Sequence, residues 1–472
     1  MNLLYSTPTL ACYANDNDAL IPELWAQEGL AILEENMVMA RLVHRDFSME
    51  VANFGDVVNT RRPNQFVAAR KTDADDVVSQ DAVATNVQVP LDQHIYVTFT
   101  IKDGEASKSF QDLVDYYLDP AAQEMASSVD RILCGQAHEF LANRVGALGE
   151  MDESNAKDYL LEAREKMNVN KAYASGRNLV LSPQAETELL KTELFISAEK
   201  RGDDGTALRD ASLGRVLGFD TYMDQNVPYT LKSATDYVDG EMQEVEPVGE
   251  TTLNCVVLNY AAIDGEFVTV ATEGKPHVIS SATDDGTNTN SIVLVSGLES
   301  AVAANAAVTV YKACQVDNAA GYAAGYSKQI QLESQGAGGN ATYVSQGQLL
   351  AFGVGANRRT YTVISTEADG NDTKVLLDRP LEVALVDNQD AFPGPSGSMN
   401  LAFHRNALAF VSRPLSLPNT ALGVRSSVGA YNDVAMRVTM QYDITSQGTI
   451  VTLDLLCGVA LLDEDLGCVL LA

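Results

Sequence analysis

Near residue 230 the chain changes character, and near residue 394 it changes back. Residues 231–393 are rich in Val, Thr, Ala, Gly and Asn. They hold short β-prone runs at close intervals: CVVLNY at 255–260, EFVTVA at 266–271, SIVLV at 291–295, AVTVYKA at 307–313 and TKVLLD at 373–378. Runs of this length bounded by turn residues describe an all-β module. The flanking segments mix helical and strand periodicity. The module is therefore expected to interrupt an α+β domain built from residues 1–230 and 394–472, with its two ends close together. At roughly 150 residues per domain, 472 residues agree with two or three domains and a substantial core.

Before the module, residues up to about 20 show little periodicity and read as an arm that needs a neighbour to hold it. From Pro22 onward, Leu24, Trp25, Leu30, Leu33, Met37, Val38, Arg41 and Leu42 recur at helical spacing. FGDVVNTRRP at 54–63 is a β-prone run stopped by a proline. Residues 64–92 are polar, with Asp73, Asp75 and Asp76 near their middle, too long for a simple loop and too polar for a core. They predict an extended hairpin. LDQHIYVTFTI at 91–101 alternates as a half-buried strand should. Asp119-Pro120 places a capping side chain before a proline at the first helical position. Met125, Val129, Ile132, Leu133, Cys134, Ala137, Phe140 and Leu141 then share one stripe, which predicts a helix over 120–145 of roughly 39 Å. Two shorter helices are expected at 154–170 and 183–200 around a strand at 178–183, with strand and turn at 214–227. After Pro393-Gly394-Pro395, residues 400–415 are ambiguous, and 434–444 and 448–462 are strands. Inside the module, 277–299 echoes 361–382, each a strand, an Asp-Gly turn and a strand, which predicts a pair of related hairpins.

Residues that carry chemistry are sparse. The 64 acidic and 32 basic side chains leave a net charge of −32, which excludes a protein that grips nucleic acid with its average surface. The start of the chain lacks a basic leader, and no apolar run approaches the ~20 residues of a membrane helix. Cys12, Cys134, Cys255, Cys314, Cys457 and Cys468 form no CxxC pair and read as reduced thiols. His44, His94, His138, His277 and His404 have no partner at ligand spacing. Gly274-Lys275-Pro276 is not a phosphate loop, and GVGANR at 353–358 has Arg358 where a dinucleotide fingerprint needs its third glycine. No GxSxG elbow occurs. Asp73, Asp75 and Asp76 lack the glycine and bidentate Glu of a calcium loop. Asp284-Asp285-Gly286 reads as a turn, and Asp463-Glu464-Asp465 as a solvated face or a subunit contact. The doublets Arg61-Arg62 and Arg358-Arg359 are too isolated to mark a nucleic-acid site. No catalytic, cofactor-binding or metal site is assigned, and no cofactor is expected. An enzyme with an unrecognised site has no Ser/His/Asp or metal constellation behind it. An arm and a long hairpin bury too little of their own surface to stand alone, which favours an assembly protein.

The order of six stretches carries a resemblance: GDVVNTRRPNQF at 55–66, VPLDQHIYVTFTIKD at 89–103, LDPAAQEMASSVDRIL at 118–133, ALRDASLGRVLGFDTYMDQNVP at 207–228, MNLAFHRNALAF at 399–410 and VAMRVTMQYDITSQGTIVTLDLLCGVALL at 434–462. In this order they resemble the major capsid proteins of tailed bacteriophages, the fold named after phage Hong Kong 97. More narrowly, they resemble the coat proteins of short-tailed enterobacterial phages, which carry an inserted β domain. The resemblance implies an N-terminal arm and helix over 1–63, an extended loop over 64–101 and a peripheral domain with its spine helix over 102–149. It implies the first part of an axial domain over 150–230, the inserted β domain over 231–393, and the axial and peripheral return over 394–472. It places 411–462 with 150–230 around the capsomer axis. It also implies a self-assembling icosahedral shell around double-stranded DNA, built from hexamers and pentamers. Scaffolding protein and portal would be partners during assembly in the bacterial host cytoplasm, and a decoration protein is a further candidate partner. Lys71 is the lysine of the extended loop, and relatives with an inserted domain generally lack Lys–Asn cross-links, so none is expected. A β-rich decoration or tail protein is the alternative. Residues 231–393 hold 21 acidic and 8 basic side chains, a net of −13, and the other 309 residues carry −19. The acidity is thus spread over both parts, as suits a container that touches its DNA lightly.

Overall fold

The computed structural model describes residues 22–47, 56–61, 68, 70, 86–104, 113–146, 151–197, 211–227, 237–271, 273, 275–284, 289–334, 344–370, 372–395, 398–418, 423–445 and 447–472. A ribbon of two antiparallel strands, β1 (Val57–Arg61) and β2 (Asn86–Pro90), runs from Val57 opposite Pro90 to Arg61 opposite Asn86. These are the feet of the expected hairpin. Residues 71–85, with Lys71, Asp73, Asp75 and Asp76, lie outside the described residues, as do Cys12 and the arm.

The ribbon leads into β3 (Gln93–Lys102), which pairs along its whole length with β24 (Gly448–Leu461). β24 is the spine of an antiparallel sheet with β21 (Leu408–Arg413), β22 (Arg425–Tyr431) and β23 (Val434–Asp443). Ile95, Val97, Phe99 and Ile101 turn toward the core while His94, Tyr96, Thr98 and Thr100 face out, as the alternation predicts. β3 is thus part of the body, and the excursion ends at β2. On the inner face lie α1 (Pro22–Asn36), α2 (Met39–Leu42) and α3 (Asp119–Gly135). Trp25, Leu30 and Leu33 of α1 and Met125, Val129 and Leu133 of α3 pack with Met436, Val438, Val451 and Leu453 of the sheet.

The long helix departs from expectation at both ends. Asp119 does not cap it. A π-helical turn, Val114–Leu118, runs straight into α3, and the Asp119 carboxylate accepts from the Gln123 amide at 2.7 Å. Pro120 has no N–H to give and crowds the carbonyl four residues back, and the wider π turn relieves that crowding. At the other end the α-winding stops at Gly135, not Val145. Gln136–Asn143 continues as a 3-10 helix, and Arg144–Val145 is strand β4.

A second sheet has the order β4, β25 (Gly467–Leu471), β20 (Met399–His404), β5 (Arg177–Leu181), β7 (Phe219–Met223), β6 (Arg215–Val216). Helices α4 (Ala156–Val169) and α5 (Pro183–Lys191) cover it with Leu160, Ala163, Met167, Ala185 and Leu189. Ser182 caps α5 by accepting from Ala185 N–H at 3.2 Å, with Pro183 in the first turn. α6 (Glu193–Ile196) follows. The expectation that 411–462 joins 150–230 is corrected here. The returning strands that pair with this sheet are β20 and β25, while residues 411–461 build the first sheet. The physical reason is register: β24 spends one edge on β3 and the other on β23 and β21, so its edges are taken.

In sequence, between β7 and β20 of the second sheet, stand two closed six-stranded barrels. The first holds β8 (Tyr237–Met242), β9 (Thr252–Leu258), β10 (Phe267–Val270), β11 (His277–Asp284), β12 (Thr289–Leu294) and β13 (Ala307–Tyr311). The second holds β14 (Cys314–Val316), β15 (Ile330–Ser334), β16 (Leu349–Phe352), β17 (Arg359–Asp369), β18 (Asp372–Leu377) and β19 (Asp390–Pro393). Numbered within themselves, both close in the order 1-2-5-4-3-6. The expected hairpin pair is part of a larger repeat. The register shift between Ile279 and Ser281 in one recurs between Val363 and Ser365 in the other. The bridge Glu246–Val302 recurs as Tyr322–Leu385, and Asn305 and Asn388 hold φ of 61° and 57° at matching turns. The chain thus folds the same barrel twice in tandem.

Candidate functional site

The ribbon joins the body through Val89 and Leu91, which pack with Ala409, Val411 and Leu456. Leu91 N–H donates to Asp56 O at 2.8 Å and locks the base of the two strands. Beside it, Gly458 lets the chain at Pro90 pass: a Cβ there would sit 2.0 Å from Pro90 O. The ribbon is thus a separate two-stranded sheet packed on the body at its Pro90 end, and its two five-residue strands bury little by themselves. On the other side of the sheet β22 is the edge strand. It forms with α1 an open groove of about 870 Å³ lined by charged Glu23, Glu34, Arg41 and Arg45. The features that geometry singles out are thus a separate ribbon and an edge, both suited to contacts with another chain.

The buried polar groups tie elements together. On α3, Asp130 is fully buried and accepts from Val38 N–H at 2.7 Å and Ala40 N–H at 3.3 Å, so it holds the start of α2. Burial, then the nearby Asp224 carboxylate, push its pKa up to about 7 against these hydrogen bonds. Asp224, at the end of β7, is raised mainly by burial, and its Oδ2 is buried without a hydrogen-bond partner. Sequence reasoning passed over Asp130, although an acid between Ala126 and Cys134 at four-residue spacing on an apolar stripe was the available signal. A carboxyl whose pKa is raised on folding stabilises the fold below its unfolded pKa near 3.8 and loses that contribution as pH climbs to about 7. Asp130→Asn is therefore expected to flatten a fall of roughly 2–4 kcal/mol in unfolding free energy between pH 4.5 and 7.5. Urea midpoints of both proteins at the two pH values check this; equal slopes would contradict it.

In the first barrel Glu266 is buried and accepts from Tyr260 Oη at 2.5 Å, Ala313 N–H at 2.9 Å and Ile263 N–H at 3.0 Å. Burial raises its pKa to about 7. The second barrel has Gln348 in its place, which accepts from Ser345 N–H and donates to Gly394 O. The swap follows the backbone, since an amide donates to a carbonyl where an ionised carboxylate cannot. GVGANR, at 353–358, lies between β16 and β17 and includes a short 3-10 turn. Its Arg358 lies over the Phe267 ring at 4.5 Å and the Phe392 ring at 5.4 Å and donates to Gly265 O, so it pins one barrel to the other. Burial lowers its pKa to about 10.

The histidines stay apart. His44 meets Phe47 edge-on at 5.1 Å, and burial, then Arg405, lower its pKa. His94 Nε2 lies 3.6 Å from Asp454. His138 Nδ1 donates to Gly135 O at 2.8 Å; burial works to lower its pKa, but Glu139 and Asp378 raise it overall. His277 is buried 3.2 Å from Glu273. His404 accepts from Asn406 N–H, its pKa lowered by burial and Arg177. Cys134, Cys255, Cys314, Cys457 and Cys468 are free and buried, and burial raises each thiol pKa. Lys275 pairs with Glu299. Asp463 caps the turn at Glu464–Leu466 by accepting from Asp465 N–H at 3.1 Å. Asp285, Gly286 and Arg62 lie outside the described residues. Among the described residues one trio of carboxylates, Asp317, Glu333 and Asp372, brings ligand atoms within 4.8 Å of each other, and it is half-buried on the second barrel. Burial, then Asp372, raise the pKa of Asp317 and, with Asp317 contributing, that of Glu333. No helix among the described residues is long and apolar enough to cross a membrane.

No protein-family model matches the chain, and no curated protein does. Among solved structures it is similar to one from Mycobacterium phage Che8, with 12% identity over 92% of this chain and 90% of that one, at a TM-score of 0.41. It is similar to the capsid structure of cyanophage P-SCSP1u, with 10% identity over 90% and 85% and a TM-score of 0.41. For the asymmetric unit of the bacteriophage PhiM1 mature capsid the values are 9% identity, 91% and 89%, and 0.37.

Proposed function

We propose that this chain is the major capsid protein of a tailed bacteriophage, a structural subunit that self-assembles into an icosahedral shell around double-stranded DNA. The observation that carries the reading is a separate two-stranded ribbon packed at one end on a body in which a long helix lies across an antiparallel sheet. It stands at the place in the chain order where the sequence resemblance expects the extended loop. In this reading the first sheet with α1 and α3 is the peripheral domain, and the second sheet with α4 and α5 is the axial domain. The tandem barrels are the inserted module of the short-tailed phage type. The partners are further copies as hexamers and pentamers, with scaffolding protein and portal during assembly in the host cytoplasm. The packaged DNA meets a surface of net charge −32 and is held lightly. The helical layer and the two sheets, each built from segments on both sides of the barrels, support a shell subunit over a β-rich decoration or tail protein.

Sedimentation of the expressed full chain, alone and with scaffolding protein, is expected to show large closed particles. Their yield should rise as salt climbs from very low values, because like-charged subunits repel less once screening reaches about 8 Å at physiological ionic strength. Assembly that weakens steadily with salt would count against the reading.

A further inference from the structure

The 3-10 stretch Gln136–Asn143 is eight residues long, where such runs seldom exceed three or four. Its sequence, QAHEFLAN, is rich in good α-formers, so local preference does not explain the tight winding. Contacts at its two ends do. At the near end, Gly135 O receives Thr362 Oγ1 at 2.8 Å and His138 Nδ1 at 2.8 Å, two side-chain donors that compete for the oxygen an α-turn would give to Glu139 N–H. Gln136 Nε2 donates to Asp378 Oδ2 at 3.1 Å, and Asp378 is fixed by Thr362 N–H and Arg379, each at 3.0 Å. At the far end, Arg144 Nη2 lies 3.3 Å from Glu273 and 3.4 Å from Glu299. Glu273 in turn receives Glu299 N–H at 2.9 Å and lies 3.2 Å from His277.

The second barrel makes the near grip and the first barrel the far one, and both use the same face of the repeated module. That face is the turn and start of the fourth strand together with the segment after the fifth. The repeat extends to an ion pair on this face, Lys275–Glu299 in one barrel and Arg359–Glu382 in the other.

We propose that the two barrels form a two-point clamp that sets the length of Gln136–Asn143 by holding it in 3-10 winding. At about 2.0 Å per residue the stretch spans roughly 16 Å, against roughly 12 Å at 1.5 Å per residue as an α-helix. Relaxation would draw Arg144 about 4 Å out of its place, and with it the pairing of Arg144 with Val469 that starts the second sheet. The segment therefore has two discrete lengths, and the barrels choose the longer. This goes beyond the shell reading and holds for a single unassembled chain.

Amide hydrogen exchange on the unassembled full chain tests the clamp. Thr362→Val removes the hydroxyl donor of the near grip, and Glu273→Gln removes the buried charge of the far one. Each is expected to speed exchange about ten-fold across 136–144, including the end remote from the substitution. Lys374→Gln, which breaks the ion pair with Asp369 at the other end of the β17–β18 hairpin, should leave it unchanged. Should either variant fail to fold, Gln136→Leu and Glu299→Gln loosen the same two grips from milder positions. Acceleration confined to the residues beside each substitution, or none at all, overturns the proposal.

Discussion

Trp25→Ala is expected to lower the unfolding free energy by about 3–5 kcal/mol, the range for deleting a large aromatic from a core. Trp25 is the chain's one tryptophan and has no exposed surface. It sits on α1 with its ring 6.2 Å from Phe99 of β3, in the cluster that includes Met436 and Val451. Those neighbours belong to a sheet held by hydrogen bonds along β3, β23 and β24, so it cannot collapse into the space left behind. The loss should also loosen α1 selectively, because its other anchors, Leu30 and Leu33, lie along the same stripe. Trp25→Phe keeps most of the volume and should recover more than half of the loss. Urea unfolding followed by far-ultraviolet circular dichroism measures both variants. A loss below 1 kcal/mol for the alanine variant would mean that α1 is not seated as described.

Gly458→Ala is expected to cost about 3 kcal/mol, at the upper end for a methyl inserted into a packed region. The added carbon would lie 2.0 Å from Pro90 O and 2.9 Å from Pro90 C, and both are backbone atoms that no rotamer change can move. Either β24 bulges away from β3 or the end of the ribbon lifts off its footing. In the second case a protease should cut the chain near residues 56–91 at concentrations that leave the parent intact. Gly104→Ala is the control, since nothing lies within 4 Å of its added Cβ, and it should stay within about 0.5 kcal/mol of the parent. Equal melting temperatures for the Gly458 and Gly104 variants would contradict the packing at Pro90.

Sequence pattern disclosed what depends on burial along one element. The alternation from Leu91 to Ile101 read out β3 and its inward face, and the spacing from Leu24 to Leu42 read out helix but not the break after Asn36 that separates α1 from α2, nor that Leu24 stays exposed. It failed where another segment decides. Asp119-Pro120 has the form of a helix start, yet the preceding turn is already helical because Leu113 and Leu118 bury against the same core. Phe140 keeps the helical stripe, but the winding beyond Gly135 is set by Thr362, more than 200 residues away. The Asp-Gly hairpins showed a repeat of two strands where six recur. The other four strands of each barrel share pairing rather than residues, as the hydrogen bonds of Met242 to Ala306 and of Val316 to Gln389 illustrate. The return of 411–461 to the first sheet follows from edges left open by β3, which spacing alone does not encode. Asp130, Glu266, Asp378 and Arg358 are polar residues in apolar settings, and each takes at least one partner from a distant segment that no local motif announces.

Cryo-electron microscopy of particles formed by the full chain, with and without scaffolding protein, tests the central claim most directly. The account predicts closed shells of icosahedral symmetry whose maps show the β1–β2 ribbon lying across a neighbouring copy and the tandem barrels standing together on the surface of each subunit. Only monomers and small irregular oligomers under every assembly condition, or shells in which the ribbon folds back on its own subunit, would contradict it.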